Sequence, residues 1–321
     1  MNWKVLLTLL LIVAACSPTV GDAGPLAVTS PAVPGGPSPA ASALASSIPS
    51  PGSLVSSTPP PSSAPTVPVA SAAPPTIAAR PIDLVVYLLR RDRLVPVQRQ
   101  VPATLAVARA AMTALLAGPT PAESAAPSSL ATLIPGGTQL LDIALANGVA
   151  VVDLTGQFES GGGAASMFGR LAQVVYTLTQ FPSVTGVTFR LDGQPVTSFS
   201  GEGIVLTGPS IRADYRDFLP VIFLDRPAWG GTLPNPARVS GLANVFESQF
   251  VAEIVASDGT VLAQRAVSAS CGNGCWGTFD VTIPYQVDQV EPGWVTVYDL
   301  SAKDGTRQNG SSYPVTLTPG G

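Results

Sequence analysis

The sequence predicts an α+β domain, a small mixed sheet with two helices, followed by an all-β sandwich, with a disordered N-terminal tether ahead of both. Three observations predict this. Residues 17–80 are nearly all Ser, Pro, Ala, Thr, Gly and Val, with 15 Pro among them, so the apolar side chains are mostly too small to build a core. Between residues 81 and 217, apolar patterns of period two alternate with patterns of period 3.6. From 218 to 318 the helical period is gone, and short β-rich runs alternate with turn residues.

Composition narrows the chemistry before any element is placed. The 321 residues carry 16 Lys+Arg against 20 Asp+Glu, a net charge of −4. That balance argues against a nucleic-acid partner, which needs a basic face to neutralise phosphates. There is no His, which removes Ser-His-Asp and Cys-His catalysis and every imidazole-liganded metal. Lys occurs only at Lys4 and Lys303, so no phosphate-binding GK[ST] loop is present. The three Cys do not form a zinc set. No catalytic residue, cofactor-binding residue or metal site is therefore expected, and any enzyme here would run on carboxylates, hydroxyls and backbone groups.

The first element is an address. Val5 to Ala15 reads VLLTLLLIVAA behind Lys4, an apolar run too short to span a bilayer core of about 30 Å but suited to a secretory signal peptide over residues 1–15. Its end, Val13-Ala14-Ala15-Cys16, resembles the bacterial lipobox. That resemblance implies cleavage before Cys16, a diacylglyceryl group on its thiol, and a stable membrane anchor. An ordinary secretory signal with an incidental Cys is the plainer alternative. Residues 16–80 then form the lipidated linker, which as a coil would average about 40–50 Å end to end. An O-glycosylated stalk is compatible with the same composition.

In the first domain, Ile82 to Leu89 is a strand and Leu94 to Val101 a second extended run. Residues 103–117 change period, with Leu105, Ala108, Met112, Leu115 and Leu116 on one helical face and Gly118-Pro119 as the stop. LLDIALA and VAVVDL flank Asn147-Gly148, a strong hairpin signal. A second helix places Met167, Phe168, Leu171, Val174, Val175 and Leu178 at core spacing and ends before Pro182. Val184 to Leu191 is a further strand, turned by Asp192-Gly193 into Gln194 to Phe199. The segments YLLRRDRLVPVQRQV, ALLAGPT, LIPGGTQLLDIALANGVAVVDLTGQF and VVYTLTQFPSVTGVTFRLDG together resemble the GerMN domain, the sporulation and spore germination domain of bacterial envelope proteins. The resemblance implies a compact α+β unit, similar to ring-building motifs of envelope assemblies, with no catalytic residues.

The second domain contains about seven short strands in roughly 100 residues, as a sandwich does. PARVSGLANVFESQFVAEIVASDGTVLAQ, CGNGCWGTFDVTIPY and VTVYDLSAKDGT resemble the immunoglobulin-like domain of bacterial spore germination. With Cys16 acylated, Cys271 and Cys275 remain as an even pair, and outside the cytoplasm they are expected to close as a local disulfide. No His and no third ligand accompany them, which argues against a metal role.

Four features hold candidate chemistry. Ser160-Gly161-Gly162-Gly163 leads into a helix, where backbone amides bind anions, but Glu159 precedes it and no Lys is near. Arg90, Arg91 and Arg93 cluster at a strand end and suit either an anionic wall polymer or lipid head group, or a solvated hairpin tip. Asp153 and Glu159 would be a glycosidase pair only if they faced one cleft. Trp229, Trp276 and Trp294 are either core packing or a sugar-stacking surface. The resulting expectation is a non-enzymatic, extracytoplasmic scaffold or interaction module, attached to the bacterial cell membrane through its lipid. Envelope proteins or a second copy are the expected partners. A cell-wall glycan-binding lipoprotein is the alternative, and a carboxylate-based glycan hydrolase a more distant one.

Overall fold

A computed structural model describes residues 80–201 and 203–320. The signal peptide, Cys16 and the linker up to residue 79 lie outside the described residues.

The chain enters the described part as a hairpin, β1 (Ile82–Arg90) and β2 (Arg93–Val101), in register from Ile82↔Val101 to Arg90↔Arg93. Arg91 and Asp92 make the two-residue turn with φ of 51° and 61°, the geometry that matches strand twist. A two-residue strand, β3 (Leu130–Ala131), pairs with the end of β1. The first helix, α1 (Val107–Leu116), buries Ala111, Met112 and Leu115. It starts later than the sequence pattern suggests: Leu105, expected on its buried face, precedes the helix and is fully exposed. The chain there is still irregular, with the Ala106 N–H bonded to the Thr104 hydroxyl. A single turn, α2 (Pro121–Ser124), follows a capping box made by Thr120 and Glu123.

The second sheet is mixed, in the order β4-β5-β6-β7. β4 (Leu140–Ala146) and β5 (Val149–Leu154) form the expected hairpin around Asn147-Gly148, with φ of 51° and 80°. The helix α3 (Ala164–Leu178) carries the chain across to β6 (Gly186–Leu191), which lies parallel to β5, and β7 (Gln194–Pro195) turns back against it. Most of α3 is buried, but Phe168, expected in the core, is 40% exposed. It instead lines an open groove with Val205 and Ile211. A short hairpin, β8 (Ser198–Phe199) with β9 (Ile204–Val205), closes this half.

The remainder is a sandwich. One sheet has the order β10 (Ile222–Arg226), β12 (Ala237–Ala243), β15 (Gly277–Ile283). The other runs β11 (Thr232–Leu233), β17 (Arg307–Leu317), β16 (Glu291–Leu300), β13 (Gln249–Ala256), β14 (Val261–Ser268). Alternate residues point inward: Phe250, Ala252 and Ile254 of β13 and Val295 and Val297 of β16 are buried. At Gly241 a Cβ would sit 1.9 Å from the Phe223 carbonyl oxygen, so β12 can pass the β10 bulge only with glycine there. The apolar core does not stop between the halves. One cluster of buried residues includes Tyr87 and Val97 from the first part and Phe223, Trp229 and Tyr313 from the second.

Candidate interaction surface

Two sheet edges are treated in opposite ways. β1 is bound on one side by β2, while β3 covers only Leu89 and Arg90 on the other. Helix α3 and the turn after it cover that second side at Val85 and Tyr87. Gln180 accepts from the Val85 N–H at 2.8 Å and donates to the Val85 carbonyl at 2.6 Å. Thr177 accepts from the Tyr87 N–H at 3.0 Å, and Gln173 donates to the Tyr87 carbonyl at 2.9 Å. Gln173 and Thr177 lie one turn apart on α3, and Gln180 stands two residues past its end. They provide the donors and acceptors that a neighbouring strand would otherwise supply, and the edge is closed to further pairing.

β4 has no such cover. It pairs with β5 alone, and no hydrogen bond among the described residues reaches its backbone from the outer side. Its sequence is LLDIALA, with Leu141 and Leu145 45% and 53% exposed. Leu105 and Leu145 flank an apolar groove of about 470 Å³ whose walls include Ala108, Ile143, Phe181 and Val184. Asp142, the one charge on the strand, is engaged by Arg109 at 2.8 Å.

The residues singled out by sequence do other work. Asp153 accepts from the Gly193 N–H at 3.0 Å and Glu159 from the Ser200 N–H at 3.2 Å, so each carboxylate ties down a turn. Neither lines any of the grooves described. The Ser160–Gly163 loop is held from behind by buried Arg170, which donates to the carbonyls of Leu133, Phe158 and Gly161. Trp229 is buried beneath the Arg90 guanidinium, 5.1 Å above its ring, and so offers no stacking face. Trp276 and Trp294 are half-buried. The Cys271 and Cys275 sulfurs lie together, with Cα atoms 5.8 Å apart. Their loop is docked on the β12–β13 connection: Asn244 and Asn273 accept from the Gly274 and Glu247 amides at 3.0 and 2.9 Å. No group of three His, Cys, Asp or Glu among the described residues is placed to hold a metal ion. Nor is any described helix long and apolar enough to cross a membrane.

The sporulation and spore germination family, Germane, matches residues 85–197. The immunoglobulin-like domain of bacterial spore germination, Gmad2, matches residues 221–306. The chain carries a Germane domain followed by a Gmad2 domain. No protein with a curated description matches it. Among solved structures, the tandem GerMN domains of the sporulation protein GerM from Bacillus subtilis align at 14% identity and a TM-score of 0.39, covering 75% of this chain and 61% of that one. The chain thus spans about three fifths of that structure. The first GerMN domain of GerM alone aligns at 20% identity and a TM-score of 0.36, covering 41% of this chain and 99% of that one. A protein from Clostridium perfringens designated a lipoprotein aligns at 23% identity and 0.31, covering 46% and 98%.

A polar network joins the Germane and Gmad2 parts. Tyr87 of the Germane β1 donates its hydroxyl to Asp225 of the Gmad2 β10. Arg212, in the segment between the two matches, pairs with Asp225 at 3.1 Å and donates to the Tyr87 hydroxyl at 3.0 Å and to Thr179 at 2.8 Å. Its guanidinium also lies 5.2 Å from the Tyr87 ring centre and 4.8 Å from that of Tyr176. Linear sequence gives no sign of this, because Tyr87 and Arg212 are 125 positions apart. Two backbone bonds reinforce the joint, Trp229 N–H to the Pro96 carbonyl at 2.7 Å and Gln98 N–H to the Trp229 carbonyl at 3.0 Å.

Proposed function

We propose that the protein is a non-enzymatic interaction module of the bacterial cell envelope, anchored by a lipid on Cys16 and carried on the linker of residues 16–80. Its docking element is the outer edge of β4. The observation behind this reading is the contrast between the two edges: three polar side chains seal β1, while β4 is left open, apolar and beside an apolar groove. An exposed edge of this kind pairs with another strand. The partner proposed is a second copy of the chain. In an antiparallel β4–β4 pair centred on Ile143, Leu141 would face Leu145 of the other copy, and Asp142 would face Ala144, with its charge already met by Arg109.

Sedimentation of the purified full chain across a concentration series tests this. Self-association is expected, weakened at least tenfold by Leu145→Lys, with an unchanged unfolding midpoint because Leu145 is exposed. A monomer at every concentration would remove the second copy as partner. Crosslinking from position 145 in intact cells would then show whether an envelope protein or wall glycan occupies the edge.

The same reading places the domains outside the cytoplasm, where Cys271 and Cys275 are proposed to be joined as a disulfide. Closing so short a loop stabilises by about 2 kcal/mol on the chain-entropy model. Cys271→Ser/Cys275→Ser is expected to lower the unfolding midpoint, and a reductant should do the same to the wild type but nothing further to the variant. Equal midpoints for wild type with and without reductant would show that the thiols are free.

A further inference from the structure

The arginine cluster of the β1–β2 turn does not project freely into solvent. Arg90, Arg91 and Arg93 line a small cavity of about 190 Å³ whose opposite wall is Asn309–Ser311 and Tyr313 of the sandwich. Two of the three are already aimed. Arg90 donates through Nε to the Ser128 carbonyl at 3.1 Å and stacks on Trp229, and Arg93 donates to the Asp217 carbonyl. Both partners are neutral carbonyls, so the guanidiniums are oriented without losing their charge. None of the three forms an ion pair among the described residues, and no carboxylate lines the cavity.

The other wall is built on Tyr313, whose buried hydroxyl points into the sandwich, where the Asp225 carboxylate, the Arg90 guanidinium and the Leu224 amide act on it. Burial, and then the neighbouring Arg91 charge, lower the pKa of Arg90.

We infer that this cavity binds a phosphate group, held by Arg91 and Arg93 at the mouth and by Arg90 deeper in. Guanidinium forks match phosphate oxygens, and three guanidiniums against the one Asp92 carboxylate of the turn suit a phosphate better than a singly charged carboxylate. The small volume admits one such group. The phosphate could be the terminal group of a small molecule or a diester within an envelope polymer or lipid head group; the chemistry at the arginines is the same. This inference does not depend on the β4 reading.

Calorimetric titration of the full chain at constant ionic strength tests it, with inorganic phosphate, glycerol 3-phosphate, the diester glycerophosphoglycerol and acetate as probes. Saturable millimolar binding of at least one phosphate probe, with acetate much weaker, is expected. If inorganic phosphate and glycerol 3-phosphate bind and the diester does not, the ligand is a terminal phosphate; if the diester binds at least as well, it is a polymer or head-group phosphate. Arg91→Gln, an exposed position, should weaken binding about tenfold. Arg93→Gln, also at an exposed position, should weaken it several-fold. No saturable heat into the tens of millimolar, acetate binding as tightly as phosphate, or unchanged affinity in either variant would overturn the inference.

Discussion

Arg212→Met is expected to lower the unfolding midpoint by about 6–12 °C, from a loss of about 3 kcal/mol in a chain of this size. Methionine keeps the apolar stem of arginine but ends short of the guanidinium and removes every donor. The Asp225 carboxylate and the Tyr87 hydroxyl then lose their cationic partner together, and the Tyr87 and Tyr176 rings lose the guanidinium stacked against them. Removing one member of a partly buried charged network leaves the others uncompensated, which costs more than the intact network contributes. The side chains of Arg212 and Asp225 are 28% and 35% exposed, so the lower part of the range for buried pairs applies. Calorimetry of Arg212→Met beside Arg238→Met, whose pair with Asp280 lies in solvent, separates the network from arginine loss in general. A Tyr87→Phe/Arg212→Met cycle should be non-additive. Equal small shifts in the two arginine variants would show that the junction does not depend on this network.

Stability is expected to be flat through neutral pH and to fall steeply above about pH 10. Burial raises the pKa of Tyr87, Tyr176, Tyr215, Tyr298 and Tyr313, with Tyr176 pushed up to about 12. At Tyr87 and Tyr176 the Arg212 charge offsets part of that rise. The sign follows from proton counting. Between about pH 10 and the higher folded values, unfolded phenols have released their protons while folded ones keep theirs. The unfolded state then binds fewer protons, so stability declines as pH rises. Each such tyrosine contributes up to about 1.4 kcal/mol per pH unit. Phenolate absorbance followed together with circular dichroism should show ionisation and unfolding as one event. Early, complete ionisation of a chain that stays folded would contradict the burial of these rings.

Much of the architecture was readable in the linear sequence because it rests on local periodicity. The Asn147-Gly148 hairpin, the α3 register and the alternation in β13 and β16 each follow from residues within one element. Most of the departures involve partners far away in sequence. Nothing local marks Gln173, Thr177 and Gln180, because their partners are backbone groups of β1 about 90 positions earlier. Leu105 fits the helical period, but the chain enters α1 two residues later and leaves it in solvent. Trp229 suits a sugar platform by residue type alone; the Pro96 and Gln98 backbone beside it and Arg90 above it make it part of the junction. The arginine cluster was legible as a cluster, but the cavity needed the Tyr313 wall, which sequence places more than 200 residues away.

The closing of the β1 edge also has a mechanical consequence. In the tethered arrangement proposed above, tension from the membrane enters the folded part at Ile82, the first residue of β1. That strand is gripped along one side by nine residue pairs with β2, along the other by the Gln173, Thr177 and Gln180 side chains, and near its end by the Tyr87–Asp225 bond. A pull on β1 therefore loads several bonds at once, and part of the load passes directly into the sandwich. The strand nearest the proposed anchor is thus held on both sides, which suits a module that must hold a partner while its other end is fixed in a moving membrane.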